Sequence, residues 1–239
     1  SVAVKNNINY GVAMLQTKVG LASGVSTFYD NRNAITGEAN QELTAAQVSQ
    51  IQLVGVLVGN QNPNLGWNYL ATSSESTDWN YVVYDNKING TGAVPTPEGG
   101  ENYTLLFDNY IPSVTQTADV LVALEFKNNG ADFYGLGNMI RTGGTFYLVG
   151  KLTLSSATNS VVWPSTYAIP PYTATGASQE VARVFIQDYM TTATFKIGAN
   201  SLQKAFVTVP DLRSSQTSLG LSVDLNWQTG LNFETELGL

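Results

Sequence analysis

The chain is 239 residues long, and 43% of them are hydrophobic, which is enough for a substantial core. Only 12% are charged, about half the share of an average soluble protein, and Asn, Thr, Ser, Gln and Gly take the place of charges. A formal net charge of −7, with only 11 Lys and Arg, argues against binding to nucleic acid or to anionic membranes. With neither Cys nor His, these residues cannot form a cysteine-based zinc site, a cysteine nucleophile or a Ser-His-Asp triad.

Alternation of apolar and polar residues, bounded by Gly, Asn and Pro, is the dominant local pattern and predicts β-strands. In chain order the predicted strands are 10–21, 48–58, 80–84, 103–107, 120–126, 145–154, 182–186, 192–197, 205–209, 219–227 and 231–237. The one helix pattern is a capping box at Thr44 and Gln47, followed by room for one or two turns. Short strands at this spacing predict an all-β fold, a β-sandwich with little helix, and we expect residues 1–239 to form a single domain.

The segment 219–239 has the most regular alternation in the chain. Its apolar residues fall on odd positions, namely Leu219, Leu221, Val223, Leu225, Trp227, Leu231, Phe233, Leu237 and Leu239. Successive side chains of a strand point to opposite faces, so one face of this segment is apolar. It is either a hairpin that packs on its own core through a Gly-containing loop, or it includes a donor strand that adds to the sheet edge of another subunit. The two interpretations are compatible, because one strand of the pair could pack on its own domain while the other is donated.

Other patterns bear on binding and catalysis. Trp67, Tyr69, Trp79, Tyr81 and Tyr84 form an aromatic-rich stretch that could stack on sugar rings, but we expect these side chains to pack in the protein interior. Pairs of carboxylates lack the supporting context of a glycosidase site, so a carbohydrate-active enzyme is the weakest hypothesis. We therefore predict no enzymatic activity, no cofactor and no metal site.

Several ordered blocks of the chain recur together in one known family. They are 55–61 (GVLVGNQ), 122–130 (VALEFKNNG), 143–151 (GGTFYLVGK), 183–195 (RVFIQDYMTTATF), 201–206 (SLQKAF), 209–213 (VPDLR) and 219–227 (LGLSVDLNW). From about residue 48 to residue 239, this order and spacing resembles the C-terminal region of the fimbrillins, the shaft subunits of type V pili in Bacteroidales.

The resemblance implies transthyretin-like β-sandwich domains, export as an outer-membrane lipoprotein precursor and a final place in fimbriae on the cell surface. It further implies that an Arg-specific protease removes an N-terminal strand, and that the C-terminal strand of the next subunit fills the emptied groove. Partners would be copies of the chain, anchor and tip pilins, and a host protein or glycan receptor, in support of adhesion and biofilm formation. The chain lacks the lipid-bearing cysteine and the cleavage-site arginine and is short for two domains, so we expect it to be the C-terminal domain of such a subunit. A tip or accessory adhesin of the same architecture is the alternative.

Overall fold

The structure is a computed structural model that describes residues 7–8, 12–62, 81–87, 91–95, 104–112, 120–153, 160–162, 174–180, 184–186, 189–213, 219–228 and 233–234. Within these ranges the fold is all-β, as the alternation predicts. The strands are β1 (Asn7–Ile8), β2 (Val12–Leu21), β3 (Thr27–Tyr29), β4 (Glu42–Thr44), β5 (Ile51–Gln61), β6 (Tyr81–Asp85), β7 (Thr104–Pro112), β8 (Val120–Asn128), β9 (Phe133–Tyr134), β10 (Met139–Ile140), β11 (Thr145–Leu152), β12 (Ser160–Val162), β13 (Ser178–Glu180), β14 (Met190–Ile197), β15 (Leu221–Gln228) and β16 (Phe233–Glu234). The helices are α1 (Arg32–Thr36), α2 (Ala45–Val48) and a 3-10 helix at Leu202–Lys204. No helix of the described ranges is long and apolar enough to cross a membrane.

The first of two four-stranded sheets has the order β11-β8-β5-β6, and its neighbouring strands are antiparallel. An irregularity in β5 between Leu53 and Gly55 inserts Val54 opposite the continuous strand β8. Such a bulge moves the side chains that follow it to the other face. Leu53 and Val56 therefore both face the main core, although three positions separate them.

The second four-stranded sheet has the order β15-β14-β2-β7. Its two central strands, β14 and β2, run parallel from the pair Met190 and Met14 to the pair Ile197 and Leu21. The outer pairs, β14 with β15 and β2 with β7, are antiparallel. Alternate residues of β2 are buried, as expected for a strand with one face on a core.

One hydrophobic core draws on both sheets. Its fully buried large side chains include Leu53, Phe126, Phe146, Leu15, Leu21, Phe185 and Phe195. Gly150 of β11 marks a close approach between the sheets, because a Cβ there would lie 2.8 Å from Phe195 Cε1 and 2.8 Å from Val223 Cγ2. A larger residue at position 150 would force β11 away from β14 and β15.

A covering segment, residues 205–213, crosses the outer face of the first sheet. Leu212 is buried on this face with Leu57, Leu121, Ala123 and Val149, and Phe206 and Leu219 pack against the same cluster. At Gly59 a Cβ would lie 2.9 Å from the Leu212 carbonyl oxygen, so the backbone of the covering segment lies close to the backbone of β5. The first sheet thus has an apolar cluster on its outer face in addition to the main core on its inner face.

Asp30 joins three separate parts of the chain from a fully buried position. Its Oδ1 accepts from the backbone N–H groups of Gln41, at 2.6 Å, and Arg32, at 3.2 Å. Its Oδ2 accepts from the backbone N–H of Tyr134 at 3.1 Å. The carboxylate therefore ties the β3–β4 hairpin to the β9–β10 hairpin.

Most predicted strands are present, and the capping box at Thr44 and Gln47 is confirmed at the start of α2. Two predicted strands are wrong. Residues 184–186, the described part of the predicted strand 182–186, are consecutively buried and form no strand. Residues 205–209 make a single bridge, between Phe206 and Tyr147, because the segment crosses the sheet instead of extending it.

Candidate functional site

The first half of the predicted donor segment is a home strand, that is, a strand of the protein's own second sheet. β15 pairs with β14 along its whole length, from Leu221 opposite Ile197 to Gln228 opposite Met190. The candidate donor residues Leu225 and Trp227 pair in this register with Ala193 and Thr191. This half of the segment is therefore part of the protein's own second sheet.

Side-chain packing also ties this half to its own domain. Leu221 is buried in the main core with 6% of its surface exposed, and Val223 packs against that core. Leu219 packs with the cluster under the covering segment. The odd-numbered apolar face predicted from the sequence is thus directed inwards at the described positions 219, 221 and 223.

The second half of the segment is placed differently. Phe233 and Glu234 form β16, which pairs antiparallel with Ile8 and Asn7 of β1. The described residues of β16 do not pair with β15, so the predicted hairpin between the two halves is not formed there. The candidate donor residues Leu231 and Leu237 lie outside the described ranges.

One edge of the first sheet is occupied by the protein's own backbone. Tyr147 of β11 exchanges two hydrogen bonds with Phe206, donating at 2.8 Å and accepting at 2.9 Å. Further along β11 the carbonyl oxygen of Val149 accepts from the N–H of Gly220 at 2.9 Å. A strand from another subunit cannot add at these positions unless residues 206 and 220 leave.

A row of polar side chains crosses the outer face of the same sheet. The Glu125 carboxylate of β8 accepts from the Tyr84 hydroxyl at 2.6 Å and from the Tyr147 hydroxyl at 2.9 Å. The hydrogen bond to Glu125 is the main cause that raises the pKa of Tyr84 to about 12. Burial, and then the same carboxylate, raise the pKa of Tyr147 to about 12. Both phenols therefore stay protonated as donors at neutral pH.

The predicted packing of the aromatic stretch is wrong for the two residues that the structure describes. Tyr81 is 57% exposed and Tyr84 is 51% exposed, because β6 is an edge strand of the first sheet. Trp67, Tyr69 and Trp79 lie outside the described ranges. Glu125 and Tyr147 are not among the residues predicted from the sequence, although Glu125 is the one acidic residue in the otherwise apolar run 120–126.

Comparison of the chain with protein-family models, with curated proteins and with solved structures gave no match.

Proposed function

We propose that the chain is a structural, non-enzymatic subunit of a fimbrial polymer, as its resemblance to the fimbrillins implies. In this proposal the two sheets form a transthyretin-like β-sandwich, and subunits assemble by exchange of a β-strand. The exchanged strand lies in residues 231–239, while β15 remains in its own sheet. The polymer acts outside the cell in adhesion and biofilm formation.

The observation that carries the proposal is the contrast between β15 and β16. β15 has 8 residues in register with β14 and side chains in the core, so its removal would open the domain. β16 has a described pairing of 2 residues, with β1. The described β1–β16 pair belongs to neither four-stranded sheet, so an identical pair between β16 of one copy and β1 of a second can replace it without opening either sheet.

Exchange of this pair leads directly to a polymer. If β16 of one copy pairs with β1 of the next, the first copy still has a free β1 and the second copy still has a free β16. Contacts of this head-to-tail kind continue into a filament unless the rotation between copies closes a ring. The apolar parity of Leu231, Phe233 and Leu237 supplies side chains for the groove of the neighbouring subunit.

The test is deletion of residues 231–239 from the full-length precursor, followed by limited digestion with an Arg-specific protease. We expect a monomer with an unchanged far-UV circular dichroism spectrum and a urea midpoint close to that of the parent. Electron microscopy should show filaments for the parent and none for the deletion variant. Filaments formed by the deletion variant, or global unfolding of it, would contradict the assignment.

Two point substitutions sharpen this test. Phe233→Asp places a carboxylate on the apolar face and should abolish filaments without loss of stability, because burial of an unpaired charge costs several kcal/mol only in the assembled state. Glu234→Ser, on the opposite face, is the matched control and should assemble normally. Leu221→Ala tests the home strand and should destabilise the monomer by about 2–4 kcal/mol, since it removes buried core volume.

A further inference from the structure

The outer face of the first sheet carries a carboxylate that is held by phenols instead of by a basic residue. Each oxygen of Glu125 accepts one tyrosine hydroxyl, from Tyr84 on one side and from Tyr147 on the other. The ion pairs between two described residues, at Arg32 and Arg213, do not involve Glu125. Each carboxylate oxygen keeps a lone pair for one more donor.

The Tyr84 side chain lies close to a glycine of the neighbouring strand. Gly55 pairs with Glu125 in the register of β5 and β8, and Tyr84 reaches over it from β6. A Cβ at Gly55 would lie 2.8 Å from Tyr84 Cε2 and 2.5 Å from Glu125 Oε2. Glycine at this position therefore allows the ring and the carboxylate to meet above the strand.

This arrangement leaves one aromatic face open beside hydrogen-bond acceptors. Tyr84 is 51% exposed, and Val82 on the same face of β6 is 41% exposed. Tyr147 is half-buried and bonded through its backbone to the covering segment, so its ring does not form a second open wall. In the part of the chain that the structure describes, the surface is a platform with one ring, an aliphatic neighbour and a carboxylate.

The chemistry of this platform selects among ligands. An anionic ligand is disfavoured at the carboxylate itself, because Glu125 presents a negative charge and the ion pairs between described residues do not involve it. A quaternary ammonium is recognised by a cage of several rings, whereas one ring is open here among the described residues. A sugar ring has an apolar C–H face that stacks on an aromatic side chain and hydroxyl groups that donate to a carboxylate.

We propose that Tyr84 and Glu125 form a binding site for a neutral saccharide on the outer face of the first sheet. The pyranose ring stacks on Tyr84, and its hydroxyls donate to the free lone pairs of Glu125. Tyr147 orients the carboxylate, and Gly55 provides the space for the ring. The site goes beyond the proposed polymerisation and does not depend on it, since none of these residues lies in β1, β15 or β16.

The test is binding of the purified full chain to an array of neutral, sialylated and sulfated glycans, with titration of the best ligand by calorimetry. We expect binding to neutral glycans, and a loss of about tenfold or more in affinity for Tyr84→Ala and for Glu125→Gln, from lost stacking and charge-assisted hydrogen bonds. Tyr81→Ala is the matched control. Tyr81 is about as exposed as Tyr84, but it shares a face of β6 with the core-facing Val83, two residues away, and so lies on the face opposite Tyr84.

Three results would overturn the saccharide site. They are the absence of binding to any neutral glycan, binding to sialylated or sulfated glycans alone, and equal affinities of the parent and the Tyr84→Ala and Glu125→Gln variants. A thermal unfolding curve for each variant separates loss of the site from loss of the fold. Filament formation by Tyr84→Ala should be normal, so failure of the saccharide site and failure of the polymer proposal give different results.

Discussion

Replacement of Asp30 by alanine tests whether one buried carboxylate holds two hairpins together. Asp30 is fully buried and accepts from the backbone N–H groups of Arg32, Gln41 and Tyr134. Alanine would leave these three donors without their acceptor. It would also remove the negative charge that lies 3.8 Å from Arg32 Nε.

The size of the effect follows from these bonds. A hydrogen bond to a charged acceptor contributes about 1.5–3 kcal/mol to stability, but the three bonds are not additive because water can enter the space left by the carboxylate. We therefore expect the free energy of unfolding to fall by about 4 kcal/mol, which lies within the range for removal of one partner from a buried ionic group. For a domain of this size that loss corresponds to a fall of about 8–16 °C in Tm.

Urea unfolding followed by circular dichroism measures this loss, with Asp30→Asn as the comparison. Asparagine keeps one acceptor oxygen, which can serve Arg32 and Gln41, but turns its amide group towards the N–H of Tyr134. We expect its cost to be about half that of alanine. A loss below about 1 kcal/mol for Asp30→Ala, or equal losses for the two variants, would refute the role assigned to the carboxylate.

Two other measurements address the hydrogen-bonded residues Tyr84, Glu125 and Tyr147, and the arginines. Absorbance titration should show Tyr84 and Tyr147 ionising near pH 12, and Glu125→Gln should move both towards the ordinary tyrosine value of 10.0. Because the folded-state pKa values are raised, the contribution of these two tyrosines to stability is complete below about pH 10 and is lost as the pH rises through about 12. The urea midpoint should therefore fall less over this pH interval in Glu125→Gln than in the parent. Limited trypsin digestion, read by mass spectrometry, should cut first at Arg213, which is 56% exposed, and spare Arg32, which is 31% exposed and lies in α1; early cleavage at Arg32 would show that α1 opens readily.

Local patterns in the sequence predicted the local parts of this fold. The strands β2 and β14 follow from alternation within a few residues, and the start of α2 follows from Thr44 and Gln47. The covering segment could not be predicted in this way. Phe206 and Leu212 are apolar because they cover the outer face of a sheet formed by distant strands, and their spacing does not reveal that role.

The same limit applies to the two candidate sites. Alternation in residues 219–239 is identical for a home strand and a donated strand, and only the register with β14 distinguishes them for β15. The space that lets Tyr84 meet Glu125 depends on Gly55, a residue of another strand. The bulge at Val54 places Gly55 on the same face of the sheet as Glu125. Such relations between strands cannot be read from one stretch of sequence.

The parallel pair at the centre of the second sheet has a consequence for how the molecule folds. β2 and β14 are neighbours in space, but β2 begins at Val12 and β14 at Met190. The first sheet and the pair of β2 with β7 can form from earlier parts of the chain, whereas β2 must wait for most of the polypeptide before its second edge is filled. Closure of so long a loop is slow, so the folding rate should be limited by this step. During synthesis, the waiting edge of β2 is where a chaperone or a second nascent chain would compete with β14.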